Sequence, residues 1–510
     1  APPNGTRLAR GVRCRSAKVP AKGSRSRDPT RNGACPQHVN NTTMIYHLFD
    51  WLNDSFSFSG SGVFEYITVR AAAAFIMSLL VALIFGKWYI RMRDKRIQQA
   101  KEILEEQRDL SRSNESDMEL WEIDDKRRKR ETPSMGGIII LISILAGAML
   151  FCDLTNVYII LLLIATVWLG FLGYLDDGIK SGLLTRNHKP NKDGLSGKYK
   201  IFGQAFLGLV IGLTLYFSPQ AKIVQNIGHQ VNDEIRTEKV IYSHYAVKST
   251  QTTIPFLKNH NLDYADVFSW AGDWQQPLGW VLFVIVSIFV MMAMSNGSNL
   301  TDGLDGLAAG TCAIQGATLG ILAYLSGNIR YSGYLDIMYI PGSGEITVFA
   351  MAFLGALMGF LWFNAYPAQI FMGDTGSLTL GGMLAIMALA IHKELLLPIL
   401  AGIFLMESFS VIIQTAFFKI TARKSNFVIT DANGQKRRIG NRIFKQTPLH
   451  HHFQYDTGHF EAINMRNYGK TGKYLLKWPQ QRLRENTITT RFWIIGLILA
   501  ALTIITLKIR

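Results

Sequence analysis

Long uncharged apolar blocks recur along the chain, near residues 71–89, 137–151, 155–174, 201–217, 277–294, 307–325, 347–363, 377–392, 395–417 and 492–508. Read over a window of about 19 residues, each has the hydropathy of a helix that crosses a lipid bilayer. Some are shorter than the roughly 20 residues needed to cross upright, so their ends must extend into flanking polar residues or be covered by neighbouring helices. The pattern predicts an all-α, polytopic integral membrane protein with about ten transmembrane helices.

The loops between the blocks orient the chain. Basic runs follow the first block (Lys126 to Arg130), the third (Lys180, Arg186, Lys189, Lys192, Lys198, Lys200) and the ninth (Lys436 to Arg438). All three follow odd-numbered helices and therefore share one side, which the positive-inside rule makes the cytoplasm. The long segment 218–276 balances five basic residues against six acids, as suits a periplasmic loop, and 418–490 falls on the cytoplasmic side. Both termini are then expected to be periplasmic.

Composition adjusts this picture in three places. A net charge of +16 in a chain of this hydropathy reflects cytoplasmic loops, and no nucleic-acid motif accompanies it, so a nucleic-acid partner is not expected. The four cysteines lack C-x-x-C spacing, which leaves no disulfide framework or zinc site indicated. Residues 1–43 carry nine Lys or Arg against the single acid Asp28 and no apolar core. They read as a disordered basic extension, non-native or processed, with the working domain running from Met44 to Arg510.

Five polar clusters stand out because charged groups at membrane depth are costly and usually functional. They are Thr132-Pro-Ser134-Met-Gly136-Gly137; Asp176-Asp177 with Lys180; Asn299-Leu-Thr-Asp302-Gly-Leu-Asp305-Gly; Asn364 with Phe371-Met-Gly373-Asp374-Thr-Gly-Ser377; and Pro448-Leu-His450-His451-His452-Phe. Each follows an odd helix or precedes an even one, so all five are expected on the cytoplasmic face as one composite site. An isolated Asp near a helix end is as readily a cap or a snorkelling surface charge; the set as a whole points to chemistry.

The residue types suggest which chemistry. In a helical segment Asp302 and Asp305 would share a face, whereas Asp176 and Asp177 point about 100 degrees apart. These carboxylates and Asp374 repel one another unless a cation joins them, and an oxygen-rich set without cysteine suits Mg²⁺ or Mn²⁺ together with substrate phosphates. Lys129, Lys180 and the histidines supply positive charge for further phosphate oxygens, and Gly303, Gly306, Gly373 and Gly376 let a ligand approach the backbone. Adjacent histidines present three ligands to one ion poorly, which favours phosphate and amide recognition over a zinc site. Phe371 either packs in a core or stacks on a base.

Together the motifs resemble the phospho-N-acetylmuramoyl-pentapeptide transferase family, or translocase I, within the polyprenyl-phosphate N-acetylhexosamine-1-phosphate transferases. The resemblance runs from about Met44 to Arg510, and its specific elements are NLTDGLDGLA at 299–308, FMGDTGSL at 371–378 and PLHHHF at 448–453. It implies an Mg²⁺-dependent enzyme of the bacterial inner membrane with its active site on the cytoplasmic face. The implied reaction joins UDP-N-acetylmuramoyl-pentapeptide to undecaprenyl phosphate, giving lipid I and UMP in peptidoglycan synthesis, and homodimerisation is a family expectation.

Residue by residue, the resemblance makes Asp374 the metal-binding acid, Asp176 and Asp177 the essential acidic pair and Lys180 its companion. Asp305, Asn364 and Phe371 match the uracil pocket; Asn299, Asp302, Ser134 and Gly373 match positions near the ribose and phosphates. Lys129 matches a uridine-site lysine, and Gln414 with His450, His451 and His452 matches the remaining polar wall. Glu131 stands where the family has Gly, and Ser134 replaces Thr while keeping the hydroxyl. The long outer loop resembles the Bacteroidetes-type enzymes. Two other readings are a related transferase moving N-acetylglucosamine phosphate, disfavoured by the triple-His and TPSMGG forms, and an ion-coupled transporter, whose polar sites belong near the bilayer midplane.

Overall fold

A computed structural model describes residues 61–105, 132–184, 194–224, 226–232, 237–242, 246–255, 261–424, 428–430, 436–438, 440–455 and 475–507. Ten helices carry the apolar blocks: α1 (Ile67–Glu105), α2 (Gly137–Phe151), α3 (Val157–Lys180), α4 (Gly197–Phe217), α5 (Gln275–Thr301), α6 (Leu307–Ser326), α7 (Gly344–Asn364), α8 (Asp374–Ala390), α9 (Gly402–Lys424) and α10 (Glu485–Thr506). Among the described residues, eight spans are long and apolar enough to cross a membrane, one of them including the 3₁₀ segment Tyr264–Trp274 ahead of α5; α2 and α8 are shorter apolar helices.

The short length of α8 follows from its position. Every residue from Thr375 to Ala390 is buried, so it is the central helix, enclosed by protein rather than by lipid. Small residues let its neighbours approach. A methyl group on Gly137 of α2 would lie 2.6 Å from the Gly376 Cα, and one on Gly173 of α3 would lie 2.5 Å from the Thr375 Cα. Close backbone approach of this kind is how helices associate where no water drives them together. The outer surfaces of the bundle expose Ile84, Phe171, Phe202, Phe289 and Ile498, as lipid-facing positions do.

One boundary differs from the apolar pattern. The ninth block begins at 395, but the chain there forms two short turns, Glu394–Leu396 and Leu397–Leu400, and α9 starts only at Gly402. Hydropathy does not register that break because the turns are as apolar as the helix. Among the described residues, the connections hold three short antiparallel hairpins in a mostly helical fold: β1–β2 (Asn226–Asn232, Thr237–Tyr242), β3–β4 (Gln251–Thr253, Asn261–Asp263) and β5–β6 (Val428–Thr430, Lys436–Arg438). Strands this short leave no usable alternation in the sequence.

At one end of the bundle Arg70 of α1 holds Glu345 of α7 through two contacts of 2.9 and 2.6 Å, and Glu345 also accepts from the Asp153 amide between α2 and α3. The same end receives the long loop before α5. The Thr253 amide donates to the His392 carbonyl at 3.0 Å, Lys393 Nζ to Thr253 Oγ1 at 2.6 Å, and the Tyr264 hydroxyl to Glu394 at 2.9 Å. The five polar clusters gather at the opposite end.

Candidate active site

The acidic pair ends α3, and its two members do different things. Asp177 is buried and accepts hydrogen bonds from the Asp374 amide at 3.0 Å, the Thr375 amide at 2.9 Å and the Thr375 hydroxyl at 2.6 Å. It therefore caps the amino end of α8 from another helix, where orphan amides and the helix dipole favour negative charge. Gly373 precedes that end at φ +75°, and a methyl group there would meet Asp177 Oδ2 at 2.6 Å. Only glycine combines that backbone with that proximity.

Asp176 is fully buried between two lysines. Lys180 Nζ lies 2.7 Å from its Oδ2, Lys200 Nζ lies 2.9 Å from its Oδ1, and the Leu195 amide donates to Oδ1 at 2.7 Å. Both lysines also reach Asp374, Lys180 at 3.1 Å and Lys200 at 2.7 Å. Asp374 is the least buried of the three acids, its side chain 13 % exposed. Oxygens of Asp176, Asp177 and Asp374 fall within 4.8 Å of one another, a cluster able to hold a hard cation. The two ammonium groups bridge Asp176 to Asp374, each lysine touching one oxygen of either acid.

The loop between α5 and α6 closes over this cluster. Asp302 and Asp305 do not share a helical face, because α5 ends at Thr301 and 302–306 is a turn closed by Gly306 at φ +72°. Burial, then the nearby carboxylates of Asp374 and Asp177, push Asp302 up to about 8. Asn299, in the last turn of α5, donates to Ser377 of α8 at 3.0 Å. Asp305 accepts from the Ala368 amide at 3.0 Å. Asn364 accepts from Gly306 at 3.0 Å and donates to the Ile370 carbonyl at 2.8 Å. The expected uracil-pocket residues Asp305 and Asn364 are thus buried braces, and Phe371, partly buried, sits in the segment they hold.

The segment around Ser134 runs beside that of Phe371. Phe371 donates to the Pro133 carbonyl, Gly136 to the Phe371 carbonyl and Gly137 to the Met372 carbonyl, each at 2.8 Å. Ser134 is partly exposed there, and Met135 turns the chain at φ +72°. Lys129 lies outside the described residues.

The histidine run splits three ways. His450 is buried against Gly303 and Glu407. His452 Nδ1 accepts from the Lys445 amide at 3.1 Å, and its Nε2 lies 2.8 Å from the Trp478 carbonyl; burial lowers its pKa from the ordinary histidine value. His451 is partly exposed, with Nδ1 2.9 Å from Gln454. Gln414 accepts from the Ile443 and Phe444 amides at 2.9 and 3.1 Å and holds the approach to the histidines.

Three residues of the site were not singled out from sequence. Lys200 counts in the sequence only toward the charge that marks a membrane side, and its role comes from its contacts with Asp176 and Asp374. Thr375 carries no signal beyond its neighbour Asp374. Glu407 is a lone acid within an apolar block, which is itself a functional flag.

Comparison with known proteins agrees with this layout. A model described as glycosyl transferase family 4 matches residues 158–392, and a phospho-N-acetylmuramoyl-pentapeptide-transferase signature matches residues 129–141. Proteins named phospho-N-acetylmuramoyl-pentapeptide-transferase from Phocaeicola vulgatus and Bacteroides thetaiotaomicron are each 48% identical over 467 residues, covering 92% of this chain and all of theirs. One of the same name from Flavobacterium psychrophilum is 43% identical over 468 residues, again covering 92% of this chain and all of its own.

Proposed function

The chain belongs to the phospho-N-acetylmuramoyl-pentapeptide-transferase family, and from that premise we propose how its site works. The donor is UDP-N-acetylmuramoyl-pentapeptide, the acceptor undecaprenyl phosphate, and the products are UMP and lipid I. The reaction takes place at the cytoplasmic face of the bacterial inner membrane, where a soluble nucleotide and a lipid phosphate meet at headgroup level. The observation that carries this reading is the cluster of Asp176, Asp374, Lys180 and Lys200, in which two cations and two acids share contacts of 2.7 to 3.1 Å at one end of a membrane bundle.

Phosphoryl transfer asks a protein mainly for positioning and charge stabilisation. Asp374 is the residue to hold Mg²⁺, with the oxygen-only surroundings that ion prefers; bound there, it would neutralise diphosphate oxygens. Lys180 and Lys200 then face incoming phosphate, and Asp176 anchors both ammonium groups from below. A lipid phosphate oxygen attacks the sugar-bearing phosphorus, the bond from that phosphorus to the UMP oxygen breaks, and UMP leaves with the electron pair. A phosphate monoester has a second pKa of about 6, so the nucleophile is already largely ionised at neutral pH and no strong base is required. The burial of Asp176 between its partners favours this direct route over attack by an aspartate.

The deciding experiment supplies purified protein with undecaprenyl phosphate and either UDP-N-acetylmuramoyl-pentapeptide or UDP-N-acetylglucosamine. Mg²⁺-dependent UMP release with the first is expected; release with only the second, or with neither, overturns the assignment. A phospho-sugar trapped on an aspartate in single turnovers without lipid would replace the direct route by a two-step one.

A further inference from the structure

We infer that Glu407 is a positioning residue that sets the loop carrying Asp302 and Asp305 by holding His450 against Gly303. The inference rests on that loop being part of the donor site. Glu407 lies in the first half of α9 and has no exposed surface. A carboxyl group buried in an apolar helix is costly unless it is paired. Its two oxygens lie 3.3 and 3.4 Å from the His450 amide nitrogen, and Oε2 lies 3.3 Å from His450 Nδ1. Among the described residues no lysine or arginine makes an ion pair with it.

The opposite edge of the imidazole meets the 302–306 turn. A methyl group on Gly303 would lie 2.7 Å from His450 Cε1 and closer still to Nε2, so the ring occupies the space a side chain at 303 would need. His450 is itself fully buried, which makes it a strut between α9 and the turn rather than the wall of an open pocket. Its face is closed by the His451 ring, with centroids 4.2 Å apart. The chain of contact is therefore Glu407 to His450 to Gly303, with Asp302 next to Gly303 in sequence and Asp305 two residues beyond.

A carboxyl group suits this place because both oxygens accept from the His450 amide. Glutamine has the same shape but one accepting oxygen, so it loses half of that bond and brings an NH₂ group against the amide, donor against donor. The ring would then tilt, and the turn with it. Displacing a group that only binds the donor weakens ground state and transition state alike, which raises KM and leaves kcat nearly unchanged.

The test measures UMP release by the purified full chain for the wild type, Glu407→Gln, Glu407→Asp, His450→Gln and the Glu407→Gln/His450→Gln double variant. Glu407→Gln should raise the KM for the UDP-sugar about tenfold while kcat changes less than about threefold, with Glu407→Asp intermediate. The double variant should be no worse than the poorer single one, since both act through one contact. A KM unchanged in Glu407→Gln, a fall in kcat alone, or multiplicative effects in the double variant overturns the inference. If Glu407→Gln does not yield folded protein, an unchanged KM in Glu407→Asp overturns it equally. A wild type that releases no UMP counts instead against the transferase reading.

Discussion

The carboxylate of Asp177 caps the helix that begins with Asp374, accepting the Asp374 amide at 3.0 Å and the Thr375 amide at 2.9 Å. Two acids that look alike in the sequence therefore hold different offices: one fixes a helix end, and the other stands on it between two lysines.

Substitution should separate them. Asp177→Asn loses part of the cap and should cost about 1–2 kcal/mol of stability, read as a lower midpoint of thermal unfolding in detergent. Asp374→Asn leaves the cap intact but weakens the contacts with Lys180 and Lys200, and should lower UMP release by about 100-fold or more, out of proportion to any fall in the midpoint.

Lys200 bridges Asp176 and Asp374 from α4 at 2.9 and 2.7 Å. Lys200→Gln should reduce kcat by about 100-fold, since one of two cations facing the transferring phosphate is lost. Retained turnover would show that Lys180 alone suffices.

Helix approach at Gly137 leaves no room for a side chain: a methyl group there would meet the backbone of Gly376, with Cα at 2.6 Å. Gly137→Ala should destabilise the protein by about 1–3 kcal/mol or more through overpacking. The check is the yield of monodisperse protein and its unfolding midpoint; an alanine variant as stable as the parent would contradict this packing.

At the far end, burial pulls Lys393 down to about 8, Glu394 is pushed up to about 7 and His392 is pulled down to about 4, in each case first by burial. A lysine depressed in the folded state binds fewer protons there than when unfolded, so its contribution to stability rises with pH above about 8. Glu394 and His392 have finished titrating below that window, and ordinary tyrosines ionise only near pH 10. Between about pH 8 and 9.5, hydrogen exchange at Thr252 and Thr253 should therefore slow relative to the intrinsic rate, and Lys393→Met should remove the dependence.

Much of the architecture was legible beforehand. Each of the ten apolar blocks became a helix, because an uncharged stretch in lipid has almost no other way to satisfy its backbone. The gathering of polar clusters at one end followed from counting helices, which fixes the side of every loop once one is known. What escaped was irregular: the break before Gly402, the short hairpins, and the burial of α8, whose composition resembles that of helices facing lipid.

Within the site, residue type announced Asp176, Asp177 and Asp374, since carboxylates at membrane depth are conspicuous. Their division of labour was invisible, because capping, ion pairing and exposure depend on which group arrives from another helix. Lys200 and Glu407 acquired roles in the same way, through contacts with residues 24 and 43 positions away along the chain. Hydropathy and composition are local quantities, and they determined the helices and the face of the site; distances between atoms on different helices are set only when the bundle packs, and those distances decided what each residue there does.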